Sequence, residues 1–280
     1  MLETSRDLTP AEYRLFRDLV YEHSGIELGA RKMQLVRSRL ARRVRAGGFA
    51  SFGEYYRYVR ADASGGELTR LIDAISTNTT HLFREARHFD FLRDELREWT
   101  APQATPRSTT IRIWSAACSS GEEPYSIAIT AAEALGERPA HTVKILATDI
   151  STAMLERARG GVFRQDRIGA TPPEIVAKYF SRSQRNERVE FTIRDDVRRM
   201  ITFSQFNLMS AAFPFRNPFD VIFCRNVMMY FDHSTQEKLV RRFARHLRPG
   251  GYLLIGHAES LSGRSHPFKY VAPTTYQMPG

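Results

Sequence analysis

Cysteine is scarce. Cys118 and Cys224 are the only two in 280 residues, too few for a disulfide framework and not spaced as a metal site. Each is expected to be a buried small hydrophobe rather than a reactive thiol. Long apolar runs are missing as well: nothing approaches the roughly 18 residues that a spanning helix needs. The start, Met1-Leu-Glu-Thr-Ser-Arg-Asp-Leu-Thr-Pro10, lacks the apolar core behind a basic head that marks a secretory signal. A cytoplasmic protein is expected. The dinucleotide fingerprint G-x-G-x-x-G is absent, as are internal repeats and low-complexity tracts. Acid is short relative to base, 31 Asp plus Glu against 41 Lys plus Arg, a formal charge of +10. That surplus argues for an acidic partner and leaves nucleic acid, anionic membrane and acidic protein all open.

What is present is enough for two folded domains, taking roughly 100 to 200 residues per domain. Hydrophobic residues make up 42% and 17 glycines add to them, the composition of a globular chain rather than a disordered one. The first 75 or so residues read as helices. Thr9-Pro10-Ala-Glu12 is a helix start, followed by Tyr13, Phe16, Leu19 and Val20 on one face and ended by Gly25. Met33, Val36, Leu40 and Val44 mark a second helix over Ala30 to Ala46, stopped by Gly47-Gly48, and Phe52 to Val59 and Glu67 to Ser76 read as a third and fourth. Residues 100 to 110, with two prolines and no periodicity, read as a linker.

Beyond the linker the pattern alternates. Ile111 to Ala117 and Val143 to Thr148 read as strands, Glu123 to Leu135 and Thr152 to Arg159 as helices. The alternation resumes with strand Phe219 to Cys224, helix Thr235 to Leu247, the turn Arg248-Pro-Gly-Gly251 and strand Tyr252 to Ile255. This order indicates a parallel sheet built from right-handed crossovers. Residues 160 to 205 interrupt it: a short helix opens at Thr171-Pro-Pro-Glu174, and Val189 to Ile193 and Met200 to Phe203 read as two strands of a small antiparallel insertion, joined through Arg194 to Arg199.

In such a sheet the ligand sits beyond the carboxyl ends of the strands. The first end is Ser115-Ala-Ala-Cys-Ser-Ser-Gly-Glu-Glu-Pro124, small residues around one glycine leading into a helix. An acidic pair there repels a pyrophosphate and suits a cationic or neutral ligand; Glu122 and Glu123 complementing the helix dipole is the structural alternative. The second end carries Asp149, about 28 residues after Gly121, placed to bind ribose hydroxyls, or else to cap the helix near Thr152. Arg225 and Asn226 follow the Phe219 to Cys224 strand directly, whereas Tyr230 also reads as a core aromatic. Before the sheet, Ile75-Ser-Thr-Asn78-Thr-Thr80-His-Leu-Phe-Arg84-Glu85 is available to a cleft or caps the helix from His88 to Leu96, and His81 reads as partly buried and structural.

Five segments together resemble the chemotaxis receptor methyltransferases, the CheR family of S-adenosylmethionine-dependent protein-glutamate O-methyltransferases. They are Thr77-Asn-Thr-Thr-His-Leu-Phe-Arg-Glu85, Trp114-Ser-Ala-Ala-Cys-Ser-Ser-Gly-Glu-Glu-Pro-Tyr-Ser-Ile-Ala128, Ala147-Thr-Asp-Ile150, Phe223-Cys-Arg-Asn-Val-Met-Met-Tyr-Phe-Asp232 and Leu247-Arg-Pro-Gly-Gly-Tyr-Leu-Leu-Ile-Gly256. The Gly-Glu-Glu-Pro-Tyr-Ser and Cys-Arg-Asn-Val segments are specific; Leu-Arg-Pro-Gly-Gly alone indicates only a class I methyltransferase. The resemblance implies an α/β fold of class I methyltransferase type, a Rossmann-like doubly wound sheet with a small inserted antiparallel β-subdomain. An all-α N-terminal domain precedes it. The expected divisions are a helical docking domain over 1–76, a connecting region over 77–100 that contributes to the site, and a methyltransferase domain over 101–280 with the insertion at about 160–205. It further implies S-adenosylmethionine as cofactor, S-adenosylhomocysteine as product and no metal. By motif position, Asn78, Thr80, Arg84, Glu123, Asp149, Asn207, Leu208, Arg225 and Asn226 line the cofactor pocket, and Arg84 and Tyr230 stand nearest the transferred methyl.

The chemistry follows from charge. A glutamate carboxylate, with an ordinary pKa of about 4.3, is ionised at neutral pH and attacks a sulfonium methyl without a general base. Charge disappears along the reaction, so alignment and exclusion of water contribute most. Arg84 and Tyr230 are therefore expected to orient rather than to move protons. The resemblance also gives the basic surplus a use. Arg31, Lys32, Arg37, Arg39, Arg42, Arg43 and Arg45 lie on the second helix with no acid among them, either as a solvated face or as the docking surface for glutamate-rich receptor helices. In some members a short receptor tail adds a strand to the β-subdomain; here the hairpin tip is Ser183-Gln-Arg-Asn-Glu-Arg188. A monomer is expected, without nucleic acid or membrane insertion. The competing readings are an RNA or small-molecule methyltransferase, which calls for aromatic platforms among the basic residues, and a regulator that senses cofactor without catalysis. Residues 29 to 48 contain no aromatic residue.

Overall fold

The computed structural model describes residues 7–101, 110–136, 143–169, 171–185 and 188–280. Most of the expected linker, 102–109, and two residues of the expected hairpin tip, Asn186 and Glu187, lie outside them. The chain divides into two compact units: one is the chain up to Thr77 with Asn207–Met209 and Tyr230–Gln236, the other is Asn78–Phe206, Ser210–Met229 and Glu237–Gly280.

The first unit is helical. Helix α1 (Pro10–Ser24) starts on a capping box in which the Thr9 hydroxyl accepts the Glu12 N–H and the Glu12 carboxylate accepts the Thr9 N–H, satisfying two donors that the first turn leaves over. Gly25, at φ 69°, ends it. A 3₁₀ turn, Ala30–Lys32, leads into α2 (Met33–Ala46), so the second helix starts later than its periodicity indicated. Helices α3 (Phe52–Ala61) and α4 (Gly66–Ile75) complete the bundle. Its core joins Phe16, Val20, Val36, Leu40, Tyr55 and Leu71, all buried, at the three- and four-residue steps that put one face of each helix inward.

The second unit runs α5 (Arg87–Trp99), β1 (Ile111–Ala116), α6 (Glu122–Leu135), β2 (Val143–Asp149), α7 (Thr152–Gly160), β3 (Val162–Arg164), α8 (Gln165–Ile168), α9 (Pro173–Tyr179), β4 (Phe180–Arg185), β5 (Arg188–Ile193), α10 (Asp195–Arg198), β6 (Ile201–Gln205), β7 (Phe219–Cys224), α11 (His233–His246), β8 (Leu247–Ile255), β9 (Lys269–Ala272) and β10 (Thr275–Gln277). Its main sheet has the order β6-β2-β1-β7-β8-β10-β9. From β6 to β8 all pairs are parallel, and β10 and β9 are antiparallel. β1 lies between β2 and β7, so the strand order reverses beside it and opens the crevice where ligands of doubly wound folds bind. β7 is buried along its whole length, as a central strand covered on both faces should be. Trp114 on β1, fully buried, packs against Phe206, Phe213, Phe215, Phe219 and Phe243, and its indole N–H donates to the Thr148 hydroxyl at 2.9 Å.

One expected pairing is wrong. Val189 to Ile193 and Met200 to Phe203 do not form a hairpin. β5 is the middle strand of a separate antiparallel sheet, β3-β5-β4, while β6 is the edge strand of the main sheet, with Ile201 to Gln205 in parallel register with Ile145 to Asp149. Both runs have the composition of strands, but composition does not name the partner, and the four-residue helix α10 turns the chain between the two sheets. The insertion therefore ends before β6. Strands β3, β4, β9 and β10 had no counterpart in the sequence reading.

Candidate functional site

The site in the second unit is built from four strand ends and one preceding loop. After β1, Ala117, Ser119 and Gly121 all have positive φ, at 79°, 49° and 99°. A Cβ at Gly121 would stand 2.9 Å from the Ala158 Cβ, so this position must be glycine. Left-handed backbone at non-glycine residues costs energy and gathers where a ligand dictates geometry. The loop is held from β2: the Thr148 carbonyl accepts the N–H groups of Ala117 and Cys118, both at 2.8 Å. Asp149, 7% exposed, accepts the Ser119 N–H at 2.7 Å and the Ser151 N–H at 2.9 Å. Asp149 is not the cap of α7. That role belongs to Ser151, whose hydroxyl accepts the Met154 N–H.

The acidic pair divides its work. Glu122 is 1% exposed, accepts from the Ser120 hydroxyl at 2.7 Å and lies 3.5 Å from the Arg167 guanidinium, a structural tie to α8. Glu123 turns the other way, accepting from Ser115 Oγ at 2.7 Å and Arg225 Nη1 at 3.3 Å. Burial pushes the Glu123 carboxyl above the ordinary range, and Arg225 and Ser115 only partly offset it.

Beyond β7, the side chain of Arg225 is 1% exposed and Asn226 adopts φ 57°. Arg225 Nη2 donates to the Arg84 carbonyl and, at 2.9 Å, to Glu85 Oε2, which Nε also approaches at 3.3 Å. Asn226 Nδ2 and the His257 N–H both donate to Glu85 Oε1 at 3.2 Å. Burial opposes ionisation of Glu85, but the Arg225 charge and these donors outweigh it and hold its carboxyl below the ordinary range. Beyond β8, buried Glu259 accepts the N–H groups of Gly256, Asn226 and Met229 at 2.6, 3.0 and 3.2 Å, fixing the loop that carries Asn226; burial nevertheless raises its carboxyl.

The preceding loop is fixed mostly through its main chain. The Asn78 carbonyl accepts from Ser119 Oγ at 3.4 Å, the Thr80 carbonyl from Arg167 at 2.6 Å, and the Phe83 N–H donates to Ser126 Oγ at 2.8 Å. Phe83 and Glu85 have φ 53° and 60°, so the chain twists sharply on both sides of Arg84. Arg84 Nη1 donates to the Thr79 carbonyl at 2.8 Å. His81 is exposed, not partly buried as expected, and its Nδ1 sits 3.0 Å from the Leu82 carbonyl.

Of the residues singled out in the sequence, Asn78, Thr80, Arg84, Glu123, Asp149, Arg225 and Asn226 belong to this unit, and hydrogen bonds link Arg84 and Arg225 directly and Glu123 and Asn226 through Arg225 and Glu85. Asn207, Leu208 and Tyr230 belong to the helical unit. There Asn207 Nδ2 donates to the His23 carbonyl, Leu208 is buried, and the Tyr230 carbonyl accepts the Glu27 N–H at 2.7 Å with Lys32 Nζ 5.7 Å from its ring. Glu85 and Glu259 were missed. The signal for Glu259 was its place just past a strand's carboxyl end; the signal for Glu85 was only its adjacency to Arg84.

Glu85, His88 and His257 offer three ligand atoms within 4.8 Å of one another. A dication there would face the Arg225 guanidinium already bound to Glu85, so the cluster is electrostatically unsuited to one. Burial pushes His88 down to about 4, with Arg225 adding to the effect, which leaves it neutral at pH 7. Cys118 and Cys224 are buried, and burial raises both thiols well above their ordinary value.

Two family models match the chain: "CheR methyltransferase, SAM binding domain" over residues 78–277 and "CheR methyltransferase, all-alpha domain" over 11–76. Among curated proteins, a chemotaxis protein methyltransferase of Borreliella burgdorferi is 41% identical over 273 residues, covering 97% of this chain and 95% of its own. Proteins of the same description from Escherichia coli and Salmonella typhimurium are 38% and 40% identical over 271 residues, covering 97% of this chain in each case and 92% and 91% of theirs.

Proposed function

This chain belongs to the CheR methyltransferase family, and from that premise we propose that it transfers the methyl group of S-adenosylmethionine to glutamate side-chain carboxylates of chemoreceptors, giving methyl esters. The relatives favour this over an RNA or small-molecule methyltransferase. The observation that carries it is the joining, beside the strand-order reversal, of Asp149 to the first loop and of Glu123 to Arg225. The donor set fits the cofactor. Asp149 stands where an acid binds ribose hydroxyls, and Glu123 and Arg225 offer one partner for an ammonium and one for a carboxylate. Asn78, Thr80, Arg84 and Asn226, with Asn207 and Leu208, are proposed to complete the contacts. When bound, S-adenosylmethionine supplies an electrophilic methyl on a sulfonium.

Arg84 and Tyr230 are proposed to orient the substrate carboxylate, which needs no base. A guanidinium that held that carboxylate too tightly would stabilise the ground state as well, so Arg84 is assigned alignment rather than strong binding.

Docking is proposed to use α2 and the 3₁₀ turn before it, through fewer residues than their sequence offers. Arg39 donates to the carbonyls of Ile75 and Ser76 and to the Thr77 hydroxyl, and Arg43 is committed to Glu67. Arg37 is exposed beside Asp7, and Arg31, Arg42 and Arg45 are exposed. These four remain for an acidic receptor helix, while Lys32 faces Tyr230. A receptor tail, where one exists, is proposed to add to β4, an edge strand of the three-stranded sheet. The enzyme is proposed to act as a cytoplasmic monomer, with a helical docking domain over 1–76, a site-contributing connection over 77–100 and a methyltransferase domain beyond. No helix among the described residues is long and apolar enough to cross a membrane.

The test is transfer of labelled methyl from S-adenosylmethionine to purified receptor cytoplasmic domains, with and without their tails. Label in the receptor is expected. Label in RNA and none in receptor would reject the proposal.

A further inference from the structure

Two carboxylates share one guanidinium. Arg225 meets Glu85 through Nη2 and Nε and Glu123 through Nη1 alone, the latter at 3.3 Å. The side chains are 1%, 10% and 13% exposed respectively. Two anions and one cation leave a formal charge of −1 in a nearly dry place, which is costly unless a further cation joins or a proton is taken up. His88 does not supply it, being neutral at pH 7 and 3.6 Å from Glu85. The exposed His257 ring is on the Glu85 side as well, 3.9 Å from that carboxylate.

The unequal geometry decides which carboxylate is left over. Glu85 receives both guanidinium contacts on Oε2, and two further donors, Asn226 Nδ2 and the His257 N–H, on Oε1. Glu123 has one long contact to Arg225 and one hydroxyl. A carboxylate with four donors keeps its charge and its partner; one with two retains lone pairs for a newcomer.

We propose that Glu85 is a positioning residue of the cofactor site: it takes up the charge of Arg225 and fixes Asn226, leaving Glu123 free to receive the ammonium at the amino-acid end of the cofactor. This rests on the reading that the site binds S-adenosylmethionine. In Glu85→Gln the guanidinium has Glu123 as its only carboxylate among the described residues, closes on it, and competes with the ammonium. The carbonyl of Arg84, also held by Arg225, gives the same carboxylate a hand in setting the loop that carries Arg84.

The experiment compares two probes by calorimetric titration. S-adenosylhomocysteine keeps the ammonium, whereas 5′-methylthioadenosine has the same nucleoside and thioether but no amino-acid end. Glu85→Gln should weaken S-adenosylhomocysteine at least tenfold and leave methylthioadenosine within twofold. A residue that merely supported the fold would lower both together, and that outcome, or an unchanged affinity for S-adenosylhomocysteine, overturns the proposal. Glu123→Gln should show the same selective loss. If Glu85→Gln cannot be obtained folded, a Glu123→Gln protein that keeps S-adenosylhomocysteine affinity within twofold overturns it equally. A wild-type protein that binds neither probe rejects the cofactor site itself, a failure distinct from that of Glu85.

Discussion

Arg43 and Glu67 form an ion pair inside the helical unit. Glu67 is 4% exposed and also accepts from the Tyr55 hydroxyl at 3.0 Å, while Arg70 approaches its other oxygen at 3.1 Å. Arg43→Ala removes one partner of a buried carboxylate and should cost about 1–3 kcal/mol of stability in urea unfolding, less than the loss of a sole partner because Arg70 and Tyr55 remain.

Arg42→Ala and Arg45→Ala should behave in the opposite way. Both residues are exposed, so stability should stay within about 0.5 kcal/mol of wild type, while receptor methylation falls. The wild-type rate should itself drop steeply with ionic strength, because exposed charges are screened within roughly 8 Å at physiological salt. A flat salt response would argue against docking through α2.

Asp220 on β7 is completely buried, accepts the Arg112 N–H at 2.8 Å and lies 3.0 Å from Arg248 Nε. It ties β1 and β8 to the strand between them. Asp220→Ala leaves the Arg248 charge, itself largely covered, without its partner, and should destabilise by about 3 kcal/mol or more in urea unfolding.

His88 gives the stability a pH dependence. Its folded value, about 4, lies below the ordinary histidine value of 6.5, so between those limits the unfolded chain binds the extra proton. Stability is complete above about 6.5 and is lost as pH falls towards 4, by roughly 2–3 kcal/mol between pH 7 and 4.5 from this group alone. In His88→Gln the difference between the unfolding free energies measured in urea at pH 7 and 4.5 should shrink by that amount. An unchanged difference would place the acid sensitivity elsewhere.

Arg84→Ala and Tyr230→Phe should lower methyl transfer to receptor, on the order of 10-fold or more if alignment is their contribution, without shifting the pH profile. A displaced pH profile in either variant would point to proton transfer. Unchanged transfer and cofactor binding in both would remove them from the site.

Much of the fold was legible because the central strands are short, mostly apolar runs between turn signals: Ile111 to Ala116, Val143 to Thr148 and Phe219 to Cys224 could be placed by composition alone. Pairing was harder to read. Ile201–Gln205 looks like a strand, but its partner is β2, more than 50 residues earlier, and nothing local distinguishes that from a hairpin with β5. β9 and β10 are short, mixed in polarity and separated at Pro273, so no period marked them. At the site, the strand-end residues Glu123, Asp149, Arg225 and Asn226 were found because topology says where to look. Glu85 was not, because its meaning lies in Arg225, 140 residues away. The division of the basic helix was equally invisible, since Glu67, which claims Arg43, sits on another helix.

The central claim is that the accepting group is a carboxylate. The direct measurement is release of labelled methanol after mild alkali treatment of receptor domains incubated with the enzyme and methyl-labelled S-adenosylmethionine. Release of essentially all receptor-bound label as methanol is the predicted result. Label that stays on the receptor through alkali, as an N-methyl group would, contradicts it.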